Sequence, residues 1–126
     1  MSRKSVEVTE YELSVLQVLW SRRTATIREI TEAVYGEIST TAYATVQKLL
    51  ERLEKKDCVT RDRSAFAHVF SASIGREEMI ELELEGLAQR LCGGSLTPLL
   101  LQLLEASPLS PRDRRALRKL IEDAEE

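Results

Sequence analysis

The stretch that decides the fold is STTAYATVQKLLERLEKKDCVTRDRSAFAHVF, residues 39–70. Its first half repeats apolar residues three and four positions apart, which is the spacing of one buried helix face. The apolar positions are Val46, Leu49, Leu50 and Leu53, and the opposite face carries Ala44, Gln47, Lys48 and Glu51. The sequence therefore predicts an amphipathic helix whose outer face is free to contact another molecule.

Two short alternating runs follow this helix, residues 58–61 and residues 66–70. The segment Asp62-Arg63-Ser64-Ala65 separates them and is typical of the connection between two paired strands. Arg61 and Arg63 give the predicted hairpin a basic tip. A helix followed by a basic hairpin is the winged-helix arrangement for DNA.

Two shorter helices are predicted ahead of that stretch, and each begins with a capping box. The capping pairs are Thr9 with Glu12 and Thr26 with Glu29, and the second helix ends near Gly36. The third helix has three alternative N-terminal caps, Ser39, Thr40 and Thr41, and it ends at Lys55-Lys56. Asp57 follows at a position where the left-handed backbone conformation is usually needed. The predicted order is three helices and then a hairpin.

The composition becomes leucine-rich and acidic from about residue 76, where three more helices are predicted, separated by Gly93-Gly94 and by a cap at Ser110. Apolar residues surround much of these helices, which indicates contact on more than one side. The candidate interface residues are Leu84, Leu87, Leu91, Leu99, Leu100, Leu103, Leu104, Leu117 and Leu120. We expect a dimerisation domain at 76–126 and a DNA-binding domain at 1–75; packing of the leucines against residues 1–75 is the alternative.

Composition and charge agree with a small, mainly α fold that carries one β-hairpin. The 126 residues include only five Gly and three Pro, and the net charge is −3. Residues 1–75 carry a net charge of +1 and residues 76–126 a net charge of −4. Because the basic surplus is local and small, one copy should bind a DNA backbone weakly and in a salt-sensitive way.

The sequence lacks the motifs that several classes of function require. Phosphate-loop, dinucleotide-binding, metalloprotease and paired-cysteine zinc patterns are absent, and His68 is the only histidine. We therefore predict no catalysis, no metal and no cofactor. Cys58 and Cys92 have no CxxC spacing, so packing roles are favoured. No apolar run reaches about 18 residues, so a cytoplasmic protein without membrane insertion is expected.

Five motifs together resemble the penicillinase repressor family, the BlaI/MecI/CopY group. They are T-E-x-E-x-x-V-x-x-x-L-W from Thr9, T-I-R-E-I from Thr26, A-Y-x-T-V from Ala42, L-x-R-L-x-K-K from Leu50 and G-G-S-L from Gly93. The similarity covers about residues 8–123. It implies a dimeric winged-helix repressor that binds inverted-repeat operators, with the C-terminal helices intertwined between subunits.

The resemblance places the third helix in the DNA major groove, where its N-terminal half meets base edges. The candidate contacts are Thr40, Thr41, Tyr43, Ala44, Gln47 and Lys48. Tyr43 could equally pack between helices. Arg61 and Arg63 are predicted to reach phosphates or the minor groove, and Arg28, Arg52, Lys55 and Lys56 are either phosphate contacts or solvated side chains.

The chain lacks the residues through which some relatives are released from DNA. Some relatives are cleaved by a membrane sensor protease at an Asn-Phe pair, and Gln102-Leu103 stands at that place here, which argues against this partner. The C-terminal CxC pairs of copper-responsive relatives are also absent. The alternative to a repressor is a winged-helix module that binds protein, which the acidic total and the residues Glu51 and Glu54 favour.

Overall fold

The structure is a computed structural model and describes residues 7–124. Its elements are α1 (Glu10–Arg22), β1 (Thr24–Thr26), α2 (Ile27–Tyr35), α3 (Thr40–Lys55), β2 (Val59–Asp62), β3 (Val69–Ala72), α4 (Arg76–Cys92), α5 (Thr97–Ala106) and α6 (Pro111–Ala124). The mainly helical architecture with a small hairpin, predicted from the sequence, is confirmed.

Both capping boxes form as the sequence predicts. The Glu12 carboxylate accepts a hydrogen bond from the Thr9 backbone N–H at 2.8 Å, and Thr26 and Glu29 repeat this geometry at the same distance. Ser39 is the cap of α3, since its Oγ accepts from the Ala42 N–H at 3.0 Å. These bonds satisfy backbone donors that a helix start otherwise leaves free, so they fix where α1, α2 and α3 begin.

The hairpin belongs to a three-stranded antiparallel sheet in the order β1-β3-β2. The sequence prediction missed β1, because three residues are too few to show an alternating pattern. The prediction that a strand starts at Phe66 is wrong: Asp62 pairs with Val69, and residues 63–68 form the loop between β2 and β3. Phe66 lies in this loop with its side chain fully exposed.

One core joins the first three helices to the sheet. Its largest members are Phe70, Leu16, Leu19, Ile30, Leu50, Leu53 and Ile74. Asp57 turns the chain out of α3 with φ 60°, the left-handed conformation expected there. The Trp20 Nε1–H donates to the Ile74 carbonyl at 2.8 Å, and Met79 in the first turn of α4 packs into the same core.

The chain divides into two compact units between Glu83 and Leu84, within α4 and later than the predicted boundary at residue 75. No disulfide joins the two cysteines: Cys58 is buried ahead of β2, where its Sγ lies 3.6 Å from the Lys56 carbonyl oxygen, and Cys92 ends α4. No helix within residues 7–124 combines the length and the apolar character needed to cross a membrane.

The second unit contains the end of α4, α5 and α6. Gly93 and Gly94 turn the chain with φ 61° and 95°, and the Ser110 Oγ accepts from the Asp113 N–H at 3.1 Å to cap α6. Its leucines are largely open to solvent: Leu84, Leu91, Leu100, Leu103, Leu104 and Leu120 are between 37% and 70% exposed, while Leu87, Leu99 and Leu117 are partly buried. Each described helix of this unit therefore presents apolar surface to solvent.

Candidate nucleic-acid interface

The third helix separates its residues into a buried and an exposed face. Ala42, Val46, Leu49, Leu50 and Leu53 are buried in the core. The six side chains predicted to contact bases all lie on the solvent side: Thr40, Thr41, Tyr43, Ala44, Gln47 and Lys48. Tyr43 is partly covered, at 39% exposure, which agrees with either of its two predicted roles. Because the buried face anchors the helix, these six residues form one rigid exposed surface, the reading face.

The start of α3 favours a negatively charged ligand. Backbone N–H groups in the first turn of a helix carry partial positive charge. The first turn of α3 contains no acidic residue that would neutralise this charge. Thr40 and Thr41 stand at this end of the helix, so the reading face begins at a position suited to a phosphate.

The structure places Arg61 differently from the role that the sequence predicted. Its side chain is only 16% exposed, and its Nη2 donates to the Glu54 Oε1 at 3.0 Å. The guanidinium carbon also lies 4.7 Å from the centre of the Phe70 ring, which is cation–π distance. Arg61 therefore packs between the sheet and α3, and it does not extend from the tip of the hairpin.

Arg63 is the exposed basic residue of the β2–β3 loop, which we call the wing loop. Its side chain is 61% exposed, and its Nη2 lies 3.7 Å from the Glu54 Oε2. Nearby, Asp62 accepts a hydrogen bond from the Ser64 N–H at 2.9 Å, and its contacts with Ser64 lower the pKa of the Asp62 carboxyl. A negative charge at the end of β2 therefore lies next to the exposed positive charge of the wing loop.

Lys56 has a structural role that the sequence did not reveal. Its Nζ donates to both Glu12 carboxylate oxygens, at 2.7 and 3.0 Å, and to the Glu7 carbonyl at 2.6 Å. Glu12 is completely buried. Burial raises the pKa of Glu12, but the hydrogen bonds from Lys56 and Thr9 and the charge of Lys56 together hold that pKa below its ordinary value. Lys56 joins the end of α3 to the start of α1.

Four candidate phosphate contacts remain exposed on this unit: Arg28 on α2, and Lys48, Arg52 and Lys55 on α3. None of them forms an ion pair within the part of the chain that the structure describes. With Arg63, one copy offers five exposed cations on this unit. Lys56 and Arg61 form ion pairs with Glu12 and Glu54. Fewer exposed cations are therefore without an ion pair than the number of basic residues suggests.

Three helices followed by an antiparallel hairpin, with an exposed face on α3, define a winged-helix fold. The solved structure of RosR from H. salinarum matches the chain with a TM-score of 0.50 at 16% identity and covers 94% of both chains, a likeness that shows the fold alone.

The chain belongs to the penicillinase repressor family, whose model, described as penicillinase repressor, matches residues 8–123. The chain is 34% identical over 121 residues to the transcriptional regulator BlaI of Mycobacterium tuberculosis, covering 93% of this chain and 87% of that one. It is 25% identical to the penicillinase repressor of Staphylococcus aureus, covering 98% and 97%. The family is one of DNA-binding transcriptional repressors and not of enzymes.

Proposed function

We propose that the protein is a homodimeric repressor that binds inverted-repeat operator DNA in the cytoplasm, with α3 of each copy in the major groove. The observation that carries this proposal is the rigid reading face on α3. A major groove is wide enough to admit an α-helix, and the order of donors and acceptors there identifies each base pair. The winged-helix fold supplies the frame that presents α3 to the groove.

Individual roles follow from side-chain chemistry. The Gln47 amide is suited to bidentate pairing with an adenine, and Lys48 to a guanine or a phosphate. Ala44 and the methyl groups of Thr40 and Thr41 are suited to contact with a thymine methyl. We assign Arg28, Arg52, Lys55 and Arg63 to the phosphate backbone, which positions the protein without reading sequence.

The exposed leucines of the second unit support the homodimer. A side chain such as Leu103, which is 57% exposed, loses unfavourable contact with water when a second copy covers it. The same surface on two copies pairs about a two-fold axis, and a two-fold dimer matches a palindromic site. We propose that Leu84, Leu87, Leu91, Leu99, Leu100, Leu103, Leu104, Leu117 and Leu120 form this interface.

Dimerisation also increases the number of cations that contact the DNA backbone. Five cations from one copy give a small backbone contribution, whereas a dimer doubles the number and makes the second binding event intramolecular. If about six to eight phosphates are neutralised in total, the logarithm of the affinity should fall with the logarithm of the salt concentration with a slope of about −5 to −7. A mobility-shift titration at several salt concentrations measures this slope, and a slope near zero would contradict backbone binding.

Substitution of Gln47 or Lys48 by alanine tests the reading face. We expect Gln47→Ala to lower operator affinity about 10-fold and to relax the preference at one base position in each half-site, because a bidentate pair contributes about 1–3 kcal/mol of discrimination. We expect Lys48→Ala to weaken operator binding as well. Binding to DNA fragments selected from a random pool measures both effects.

The matched control is Gln17→Ala, which removes an exposed amide from α1. This variant should bind with wild-type affinity and sequence preference. If Gln47→Ala and Lys48→Ala also keep both properties, α3 does not read the DNA. Retention of no DNA fragment by the wild-type protein would instead favour the protein-binding alternative.

No protease enters this proposal. Gln102 and Leu103 lie within α5, both exposed, at the position where the family resemblance implies the Asn-Phe pair of cleaved relatives. The residues of this chain give no support for cleavage at that position.

A further inference from the structure

One acidic residue of α3, Glu54, forms ion pairs with the β2–β3 hairpin, which we call the wing. The two carboxylate oxygens of Glu54 face two arginines of the hairpin: Oε1 accepts from Arg61 at 3.0 Å, and Oε2 lies 3.7 Å from Arg63. Glu54 belongs to the last turns of α3, Arg61 to β2, and Arg63 to the wing loop. One side chain of the helix that carries the reading face therefore contacts both a strand and the loop of the wing.

The two arginines differ in how firmly they are held. Arg61 is nearly enclosed: its guanidinium lies over Phe70, its Nη1 is 3.5 Å from the His68 Nδ1, and its buried Nε has no hydrogen-bond partner within the described residues. A buried guanidinium is stable only beside an anion, which here is Glu54. Arg63 is exposed and makes the longer contact. Glu54 thus holds the Arg61 side chain firmly and makes a weaker, longer contact with Arg63.

We infer that Glu54 is a positioning residue for DNA binding, which sets the wing relative to α3 and holds Arg63 where it meets the operator backbone. This inference rests on the proposed function. When a phosphate approaches, it replaces the 3.7 Å contact of Arg63, since a phosphate accepts strong charge-assisted hydrogen bonds from arginine. The shorter Arg61 contact remains and keeps the wing in place. The wing and the reading face then engage the same duplex in one fixed geometry.

A purely repulsive role for the Glu54 charge predicts the opposite change in operator affinity. If the carboxylate only repels DNA, its removal should strengthen binding to every duplex. If it positions the wing, its removal should weaken operator binding and leave binding to unrelated DNA unchanged or slightly stronger. The ratio of operator affinity to non-specific affinity therefore separates the two roles, because a uniform electrostatic change leaves that ratio the same.

Glu51 provides a matched control. It lies one turn before Glu54 on α3, is exposed, and forms no ion pair among the described residues. Glu54→Gln and Glu51→Gln remove the same charge from the same helix, and neither changes side-chain size appreciably. We expect Glu51→Gln to keep the affinity ratio. We expect Glu54→Gln to reduce it about 10-fold, because Arg61 loses its anion and the hairpin no longer keeps one fixed geometry on the operator.

Arg61→Met gives a second, independent test, because it keeps a long unbranched side chain and removes the guanidinium that contacts Glu54 and the Phe70 ring. It should reduce the affinity ratio as Glu54→Gln does, and the double variant should be no worse than either single variant if both act through one contact. Circular dichroism establishes that each variant is folded at the temperature of the titration.

The affinity ratio of every variant is measured on the 126-residue chain with the same selected operator fragment. Equal affinity ratios for Glu54→Gln, Arg61→Met and Glu51→Gln would overturn the positioning role while leaving the repressor proposal intact. If Glu54→Gln is not folded, Arg61→Met alone decides between these results. Absence of operator binding by the wild-type protein would instead contradict the proposed function itself.

Discussion

Leu103→Glu should convert the protein to a monomer and lower operator affinity about 100-fold or more. Leu103 is 57% exposed in one copy, so a charge there is tolerated by the isolated chain but not by an interface that buries it. Without its partner, each copy binds a half-site alone and loses the effective concentration that linkage provides, which is worth about 10² to 10⁴ in affinity. Sedimentation at micromolar concentration and a mobility shift measure the two effects.

Gln102→Glu is the control for this substitution. It adds the same negative charge to the same helix, α5, at the neighbouring exposed position. This variant should remain dimeric and bind the operator with close to wild-type affinity. Loss of dimerisation in both variants would indicate a general effect of charge on α5, and a dimeric Leu103→Glu would remove this leucine from the interface.

Lys56→Met should destabilise the winged-helix unit by about 2–4 kcal/mol, because it leaves the buried Glu12 carboxylate without its charged partner. For a unit of this size, such a loss lowers the melting temperature by roughly 10 °C or more. Lys55→Met is the control: Lys55 is exposed, makes no ion pair in the described range, and its substitution should change stability by less than about 0.5 kcal/mol. Thermal unfolding of the two variants gives the comparison.

The pH dependence of the same variant tests the cause of its instability. The pKa of Glu12 is lowered in the folded protein, so its contribution to stability is fully present above its ordinary value of 4.5 and is lost as the pH falls below it. Without Lys56, Glu12 keeps its hydrogen bonds with Thr9 but loses the hydrogen bonds and the charge that most oppose the effect of burial, so its pKa in the folded variant is higher than in the wild type. The stability difference between wild type and Lys56→Met should therefore be largest at neutral pH and shrink in acid. A difference that stays constant with pH would assign the loss to packing.

Local signals in the sequence were sufficient for most of the fold. Thr9 and Thr26 cap their helices as predicted, since each capping bond joins residues three apart, a spacing that the sequence shows directly; for α3 the structure selects Ser39 from three candidates. The two faces of α3 were also readable, since a 3.6-residue period assigns every position of a helix once its buried side is known. That assignment placed Ala44, Gln47 and Lys48 on the outer face, and the resemblance to the repressor family added Thr40, Thr41 and Tyr43 to the candidate reading face.

The features that the sequence did not reveal depend on contacts between distant residues. The strand β1 exists because Ala25 pairs with Phe70, and nothing in three residues indicates that partner. Lys56 and Arg61 have the charge of phosphate contacts, and only the fold shows that the buried Glu12 and the wing-facing Glu54 engage them. A local count of basic residues therefore overstated the charge available to DNA.

The most direct test of the dimeric repressor is the stoichiometry and affinity of its complex with a selected palindromic fragment. Sedimentation of the complex gives the number of chains per duplex, and titration compares the intact palindrome with a fragment that keeps one half-site. Two chains per duplex and at least about 100-fold tighter binding to the palindrome are expected. One chain per duplex, or equal affinity for both fragments, would contradict the proposal.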